Sequence, residues 1–229
     1  MKNTCIIVAA GNGSRMKSDI PKQYIKIEGR PLIAFTIEAW QQSFVDDIVL
    51  VVPEDDIYYV KEEIVSKYDF TKVSAVVSGG ANRYDSVMAG LDACDGSDYV
   101  YIHDGARPCI DIETINRTRK AVEECGAATV AVPVKDTIKV ADEENFAAAT
   151  PDRNTLWAIQ TPQAFSFPLI RKAYSEAVKS DMKNITDDAG VVEGFTDTKV
   201  KLVMGDYRNI KVTTPEDLAS VRAFLAGKI

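Results

Sequence analysis

The chain is poor in the residues that usually mark metal or nucleophile chemistry. It has one histidine, His103, in 229 residues. Its four cysteines, Cys5, Cys94, Cys109 and Cys125, form no CxxC pair and no metal-like spacing with that histidine. These are expected to be reduced thiols of a cytoplasmic protein rather than a disulfide framework or a zinc site. There is no apolar run near the ~20 residues of a membrane span, and the first residues run straight into a strand pattern, without the features of a signal peptide. There is no excess of positive charge either. The formal net charge is −7, so nucleic acid and anionic membrane are poor default partners, and a polyanionic ligand must be met by a local cationic pocket. Internal repeats, low-complexity tracts and linkers are missing too, and the chain reads as one domain over 1–229.

What is present is an ordinary globular balance, 46% hydrophobic and 27% charged, long enough for a full core. Strand-like and helix-like runs alternate. Strands are expected at Thr4–Ala9, Asp47–Val52, Val73–Val77, Tyr99–His103, Ala127–Val132 and Val200–Val203. Helices are expected at Pro31–Phe44, Glu54–Tyr68, Arg83–Cys94, Ile112–Glu124 and Pro168–Lys179, then from Thr186-Asp187-Asp188 and from Thr214-Pro215. Near-continuous apolar strands alternating with helices indicate an α/β fold with a mostly parallel, Rossmann-like twisted sheet flanked by helices. From about Lys135 to Phe165 the pattern breaks. Short pieces, Thr137–Val140 and Leu156–Gln160, flank a polar middle, which reads as a protruding β-arm at about 136–160, with a disordered loop as the alternative.

In such sheets ligands sit at the carboxyl ends of the strands. Three strand-end loops there carry unusual residues. The first, "VAAGNGSRMKSDIPKQY", holds Gly11 and Gly13 followed by Ser14, Arg15, Lys17 and Lys22. It lacks the GxxxxGK[ST] of a Walker loop, and Met16 stands where a dinucleotide fingerprint needs its third small residue. A strand, a glycine turn with exposed N–H groups, and then cations still make an anion nest, the alternative being a tight turn with solvated Lys and Arg. The second loop has Gly79-Gly80, with Ser86 one turn into the next helix. It either lets a base or ribose approach the backbone or simply opens the helix. The third, "HDGARP", puts Asp104 at a strand end, where a carboxylate beside a triphosphate can hold Mg²⁺ or pair with Arg107 to fix the turn. His103 is expected to be structural and to face away from Asp104. Lys211 stands at another strand end. Lys135, Thr137, Lys139, Arg153, Thr161 and Thr186 are scattered polar residues, each of a kind most often found on the surface.

Taken together, "AAGNGSRM…PKQY", "HDGARP", "VPVKDTIK", "DRNTLWAIQTPQAF", "TDDAGVVE" and "NIKVTTPEDL" resemble, in order and spacing, the 2-C-methyl-D-erythritol 4-phosphate cytidylyltransferase family of the nonmevalonate isoprenoid pathway. The resemblance spans Ile6 to Leu218. It implies the nucleotide-diphospho-sugar transferase fold with one strand reversed, and transfer of CMP from CTP to a polyol phosphate with release of pyrophosphate. It also implies Mg²⁺ or another divalent cation, and a homodimer with interlocked arms. Ala9, Ala10, Gly11, Gly13, Gly79, Gly80, Ser86 and Gly105 would bind the nucleotide. Arg15, Lys22, Arg153 and Lys211 would be catalytic. Asp104, Arg107, Thr137, Thr161 and Thr186 would meet the acceptor, with Asp104 also at the metal, and Thr137 and Arg153 would serve the partner's site. Many relatives have alanine at Gly105, where glycine is expected to loosen the turn slightly. A ribitol-5-phosphate cytidylyltransferase is the neighbouring alternative, although "HDGARP" and the Thr186…Glu193 motif fit it less well. A non-catalytic nucleotide-binding module would be expected to have lost one of the key cations, and all are present.

Overall fold

A computed structural model describes residues 1–11, 20–94, 96–180 and 186–227. Its elements in chain order are β1 (Asn3–Val8), β2 (Lys26–Ile27), β3 (Arg30–Pro31), α1 (Leu32–Gln41), β4 (Asp47–Val52), α2 (Ile57–Tyr59), β5 (Val73–Ser78), α3 (Arg83–Asp92), β6 (Tyr99–Asp104), α4 (Ile112–Cys125), β7 (Ala127–Pro133), β8 (Val140–Ala141), β9 (Ala147–Ala149), β10 (Trp157–Ser166), α5 (Phe167–Val178), α6 (Asp188–Phe195), β11 (Lys201–Met204) and α7 (Pro215–Leu225).

The main sheet has seven strands in the order β11-β7-β10-β6-β1-β4-β5. All neighbouring pairs are parallel except those made by β10, which runs antiparallel to both β6 and β7. The chain leaves β1 toward β4 and β5, then returns to lay β6 on the other side of β1. That reversal places the topological switch point between β1 and β6, where open α/β sheets hold their ligands. There the register pairs Val8 with Asp104.

Both faces of the sheet are covered, which is why the strand sequences are almost uniformly apolar. Cys5, Ile7, Ile48, Leu50 and Tyr101 pack with Ile33, Ile37 and Trp40 on one face. Ile6, Val49, Val51, Val100, Ile102 and Phe165 pack with Val87, Leu91, Ile170 and Tyr174 on the other. Each fully buried Leu, Ile or Phe contributes about 1.5–3 kcal/mol. This two-sided burial fixes the strand ends on which the site depends. The cysteines are all free, and burial pushes the Cys94 and Cys109 thiols up to about 12 and about 11, leaving neither a nucleophile at neutral pH. No helix among the described residues is long and apolar enough to cross a membrane.

Three expectations about the elements need correction. The helix expected over Glu54–Tyr68 is broken into a 3-10 turn at Glu54–Asp56, a single α turn, and π-type turns over Val60–Ser66. The piece expected at Leu156–Gln160 is the outer end of ten-residue β10, which continues past Pro162 into the middle of the sheet. A proline argues locally against a central strand. Here it sits where the β10–β7 register shifts, between Ile159 and Gln163, a position that tolerates a missing N–H. Beyond the sheet, β8 and β9 pair as a small exposed hairpin. The strand expected from Thr137 is limited to Val140–Ala141.

Candidate active site

Three strand ends converge. After β1 the backbone stays pinned: Ala9 N–H donates to Val51 O at 2.7 Å, and Gln23 Nε2 donates to Ala9 O at 3.0 Å. After β5, Gly79 and Gly80 turn tightly under α3. A Cβ on Gly79 would lie 2.4 Å from Ala10 Cβ, and one on Gly80 would lie 2.2 Å from Asp85 Cβ. Gly79 is therefore required by close packing against the first loop, and Gly80 by close packing against the first turn of α3. Ser86 braces the same turn, accepting from Gly80 N–H and donating to Asn82 O, both at 3.2 Å. After β6, Gly105 N–H donates to Val8 O at 2.9 Å. A Cβ there would come within 2.9 Å of Ala9 Cβ, so Gly105 fits a tight contact rather than loosening the turn.

Asp104 is the centre of the charge. Lys211 Nζ lies 2.9 Å from its Oδ2, Arg107 Nε lies 3.4 Å from the same oxygen, and Arg83 Nε lies 3.8 Å from Oδ1. Burial alone would raise its pKa. Lys211, Arg83 and Arg107 overcome that and hold the carboxyl well below the usual range. Lys22 donates to Val212 O at 3.1 Å, bringing its charge against the stretch that carries Lys211.

His103 lies behind Asp104 on the opposite face, edge-on to Trp40 at 5.6 Å. Its Nε2 meets the carbonyl of Arg107 at 3.3 Å, an acceptor, so Nε2 carries the proton. Nδ1 is then the acceptor for the Thr161 hydroxyl at 3.0 Å, and Thr161 Oγ1 accepts from Asp104 N–H at 3.0 Å. Burial pushes the His103 pKa down to about 4, so the ring is neutral. The Thr161 hydroxyl is thus already engaged in fixing the Asp104 backbone, from the wall of a cavity that Thr186 also lines.

Two cavities share that wall. One, of roughly 300 Å³, is lined by Ala9, Ala10, Gly11, Lys22, Gly80, Ser86, Asp104 and Lys211. The other, of roughly 400 Å³, is lined by Arg107, Thr161, Thr186, Asp104 and Lys211. Most of the expected residues are therefore brought together. Gly13, Ser14, Arg15 and Lys17 lie outside the described residues. Thr137 and Arg153 are exposed on the arm and line neither cavity; Arg153 Nη1 donates to Lys135 O at 3.0 Å. Arg83 lines both cavities and no sequence motif pointed to it. The local signal was an arginine at the first helical position, the positive end of the helix dipole, where it needs an acidic partner.

Among the described residues no three His, Cys, Asp or Glu side chains gather to hold a metal by themselves. Asp104 does suit a cation shared with phosphate. Its contact with Arg83 at 3.8 Å is too long for a hydrogen bond, so Oδ1 keeps a lone pair for an ion whose other ligands are phosphate oxygens and water.

The profile of the IspD family, 2-C-methyl-D-erythritol 4-phosphate cytidylyltransferase, matches residues 4–227. The 2-C-methyl-D-erythritol 4-phosphate cytidylyltransferase of Lachnospira eligens is 48% identical over 227 residues, 98% of this chain and 100% of that one. The crystal structure of 4-diphosphocytidyl-2C-methyl-D-erythritol synthase from Anaerococcus prevotii is similar at TM-score 0.86 and 35% identity, covering 98% of both chains. The cytidylyltransferase structure from Francisella tularensis follows at TM-score 0.81 and 28% identity, covering 98% of this chain and 100% of that one. With the switch-point crevice, the paired glycine loops and the Asp104 cluster in place, the chain belongs to the 2-C-methyl-D-erythritol 4-phosphate cytidylyltransferase family.

Proposed function

We infer that the two cavities joined at Asp104 are where the enzyme transfers CMP from CTP to 2-C-methyl-D-erythritol 4-phosphate in the nonmevalonate isoprenoid pathway. The observation that carries this reading is the shared wall: Asp104 and Lys211 line both cavities, so a group in one meets a group in the other beside fixed positive charge. The cavity under Ala9–Gly11 and Gly80 takes CTP, its triphosphate turned toward Lys22. The cavity with Arg107, Thr161 and Thr186 takes the polyol phosphate.

The chemistry follows from the charges. A phosphate oxygen of the acceptor attacks the α-phosphorus of CTP. A new P–O bond forms there as the bond to the β-phosphate oxygen breaks, and pyrophosphate leaves with the electron pair. The nucleophile is already an anion, so no side chain need become acylated or phosphorylated and no general base is required. The protein has to hold two polyanions in line and offset charge at the transferring phosphorus. Lys22 and Lys211 are held for that work, and Arg15 is assigned it by the resemblance. A divalent ion at Asp104 Oδ1, Mg²⁺ by preference for phosphate oxygens, would supply further charge neutralisation. Arg153 is assigned to the acceptor phosphate and Thr137 to a place near the acceptor, both in the site of a partner protomer reached across a homodimer through the arm at 136–160. Their exposure and their absence from the lining of either cavity of their own chain favour that arrangement.

A coupled pyrophosphate-release assay tests the reading, with CTP and either methylerythritol phosphate or ribitol 5-phosphate. Turnover is expected with the first. Faster turnover with the second would change the substrate, and CTP binding without turnover on either would end the enzymatic reading of this site.

A further inference from the structure

Arg83 is the first residue of α3, just past the Gly79-Gly80 turn. Its guanidinium makes a two-pronged pair with Asp188, Nη1 to Oδ1 at 2.8 Å and Nη2 to Oδ2 at 2.6 Å. Tyr174 donates its hydroxyl to the same Oδ1 at 2.5 Å. Asp188 is 0% exposed, while the Arg83 side chain keeps 30% exposure toward the cavities. A buried carboxylate needs this degree of satisfaction on both oxygens. Asp188 opens α6, two residues after Thr186, and Tyr174 lies on α5. One carboxylate therefore ties together the helix beside the nucleotide cavity and the helix beside the acceptor cavity.

Both terminal nitrogens of Arg83 are taken up by Asp188, which leaves Nε facing Asp104 Oδ1 at 3.8 Å. That separation supports charge attraction without a hydrogen bond. A guanidinium free to swing would prefer a two-pronged pair with Asp104 and would draw that carboxylate away from Lys211. We propose that Arg83 is a positioning residue: clamped by Asp188 and Tyr174, it holds a fixed charge beside Asp104, keeps the other oxygen of Asp104 on Lys211 and Arg107, and fixes the two cavities relative to each other. The inference rests on reading those cavities as the nucleotide and acceptor halves of one site. Alignment between two bound reactants is sensitive, since a shift of about 1 Å can cost on the order of 10²-fold in rate.

The test is steady-state kinetics on Arg83→Lys, Asp188→Asn and the double variant, with CTP and methylerythritol phosphate each varied and the parent run alongside. Lysine keeps the charge and loses the two-pronged geometry. Each single change is expected to lower kcat by about 10-fold or more, the scale of supporting partners one layer behind a site, while both KM values stay within about threefold. The double variant is expected to lose no more than the worse single, because the clamp acts as one unit. Either of two results would overturn the proposal: kcat within about twofold of the parent in both single variants, or a loss confined to KM, which would make Arg83 a substrate-binding residue. Losses that multiply in the double variant would overturn it too. If Asp188→Asn does not fold, Tyr174→Phe replaces it and keeps both charges. A fall in kcat of about threefold is then expected from one lost hydrogen bond, and an unchanged kcat counts against the clamp. A parent with no turnover condemns the reading of the site rather than the role of Arg83.

Discussion

The Asp104 cluster and the arm both carry cations, and they hold them by different means. At the cluster, Lys211 and Arg107 stand on loops but converge on a carboxylate that ends a buried strand, and Arg107 Nη1 is held further by donating to Asn209 O at 2.7 Å. On the arm, Arg153 is exposed and hydrogen-bonded to a backbone carbonyl eighteen residues away, and the β8–β9 hairpin is exposed throughout. A side chain positioned by a core is ready before substrate arrives. One on an exposed hairpin gains a fixed place only when a second surface meets it. On the proposed reading, the Asp104 cluster is organised within one chain, while the contacts of the arm wait on another protomer.

The sharpest way to break that contrast is to remove the hub of the organised half. Asp104→Asn leaves Lys211, Arg107 and Arg83 facing one another without a counter-charge. Breaking a buried pair costs about 3–5 kcal/mol, and the low end applies because Lys211 is 36% exposed. Turnover is expected to fall by about 10²-fold or more, as for loss of a preorganised electrostatic group. A urea titration and a pyrophosphate assay measure the two effects. A variant of parental stability and rate would mean that the cations are held by something other than Asp104.

The arm half is sharpened by mixing subunits. Arg153→Ala and Lys22→Ala are each expected to be nearly inactive alone. If the arm completes the neighbouring site in a C2 dimer, a refolded equimolar mixture contains heterodimers with one fully intact site, and roughly a quarter of parental activity returns. No recovery would assign Arg153 to its own chain. The smallest effect concerns His103 and leaves activity at neutral pH unchanged. Its folded pKa of about 4 lies below the unfolded value near 6.5. A depressed folded pKa gives stability that is complete above the unfolded value and lost as pH falls toward the folded one, so the parent should lose roughly 3 kcal/mol between about pH 6.5 and pH 4. In His103→Gln the denaturation midpoint should vary less with pH across that window, whatever its absolute value.

Much of the organised half was legible in the sequence because its signals are local. A buried apolar run that ends in a charged residue announces Asp104 at a strand end. Thr214 with Pro215 announces the start of α7, and Thr214 N–H does donate to Asp217 Oδ2 at 2.8 Å. The opposite-face placement of His103 follows from strand alternation alone. What could not be read was set by contacts distant in sequence. The Arg83–Asp188 pair joins residues 105 positions apart, and nothing near either one names its partner. β10 was shortened because Pro162 breaks the local pattern, and only pairing with β6 and β7 on both sides makes the segment a central strand. The Thr161 hydroxyl looked available for substrate because its engagement with His103 and Asp104 depends on that same pairing.

The most direct measurement is the single-turnover rate of pyrophosphate release at saturating CTP and methylerythritol phosphate, comparing the parent with Lys22→Ala. A lysine held against Val212 O at the wall of the nucleotide cavity, and acting on the transferring phosphorus, predicts a rate lower by about 10²–10³-fold with CTP affinity changed far less. A rate within about threefold of the parent, or a loss found wholly in CTP affinity, would contradict the assignment of this crevice as the place where the phosphoryl bond is exchanged.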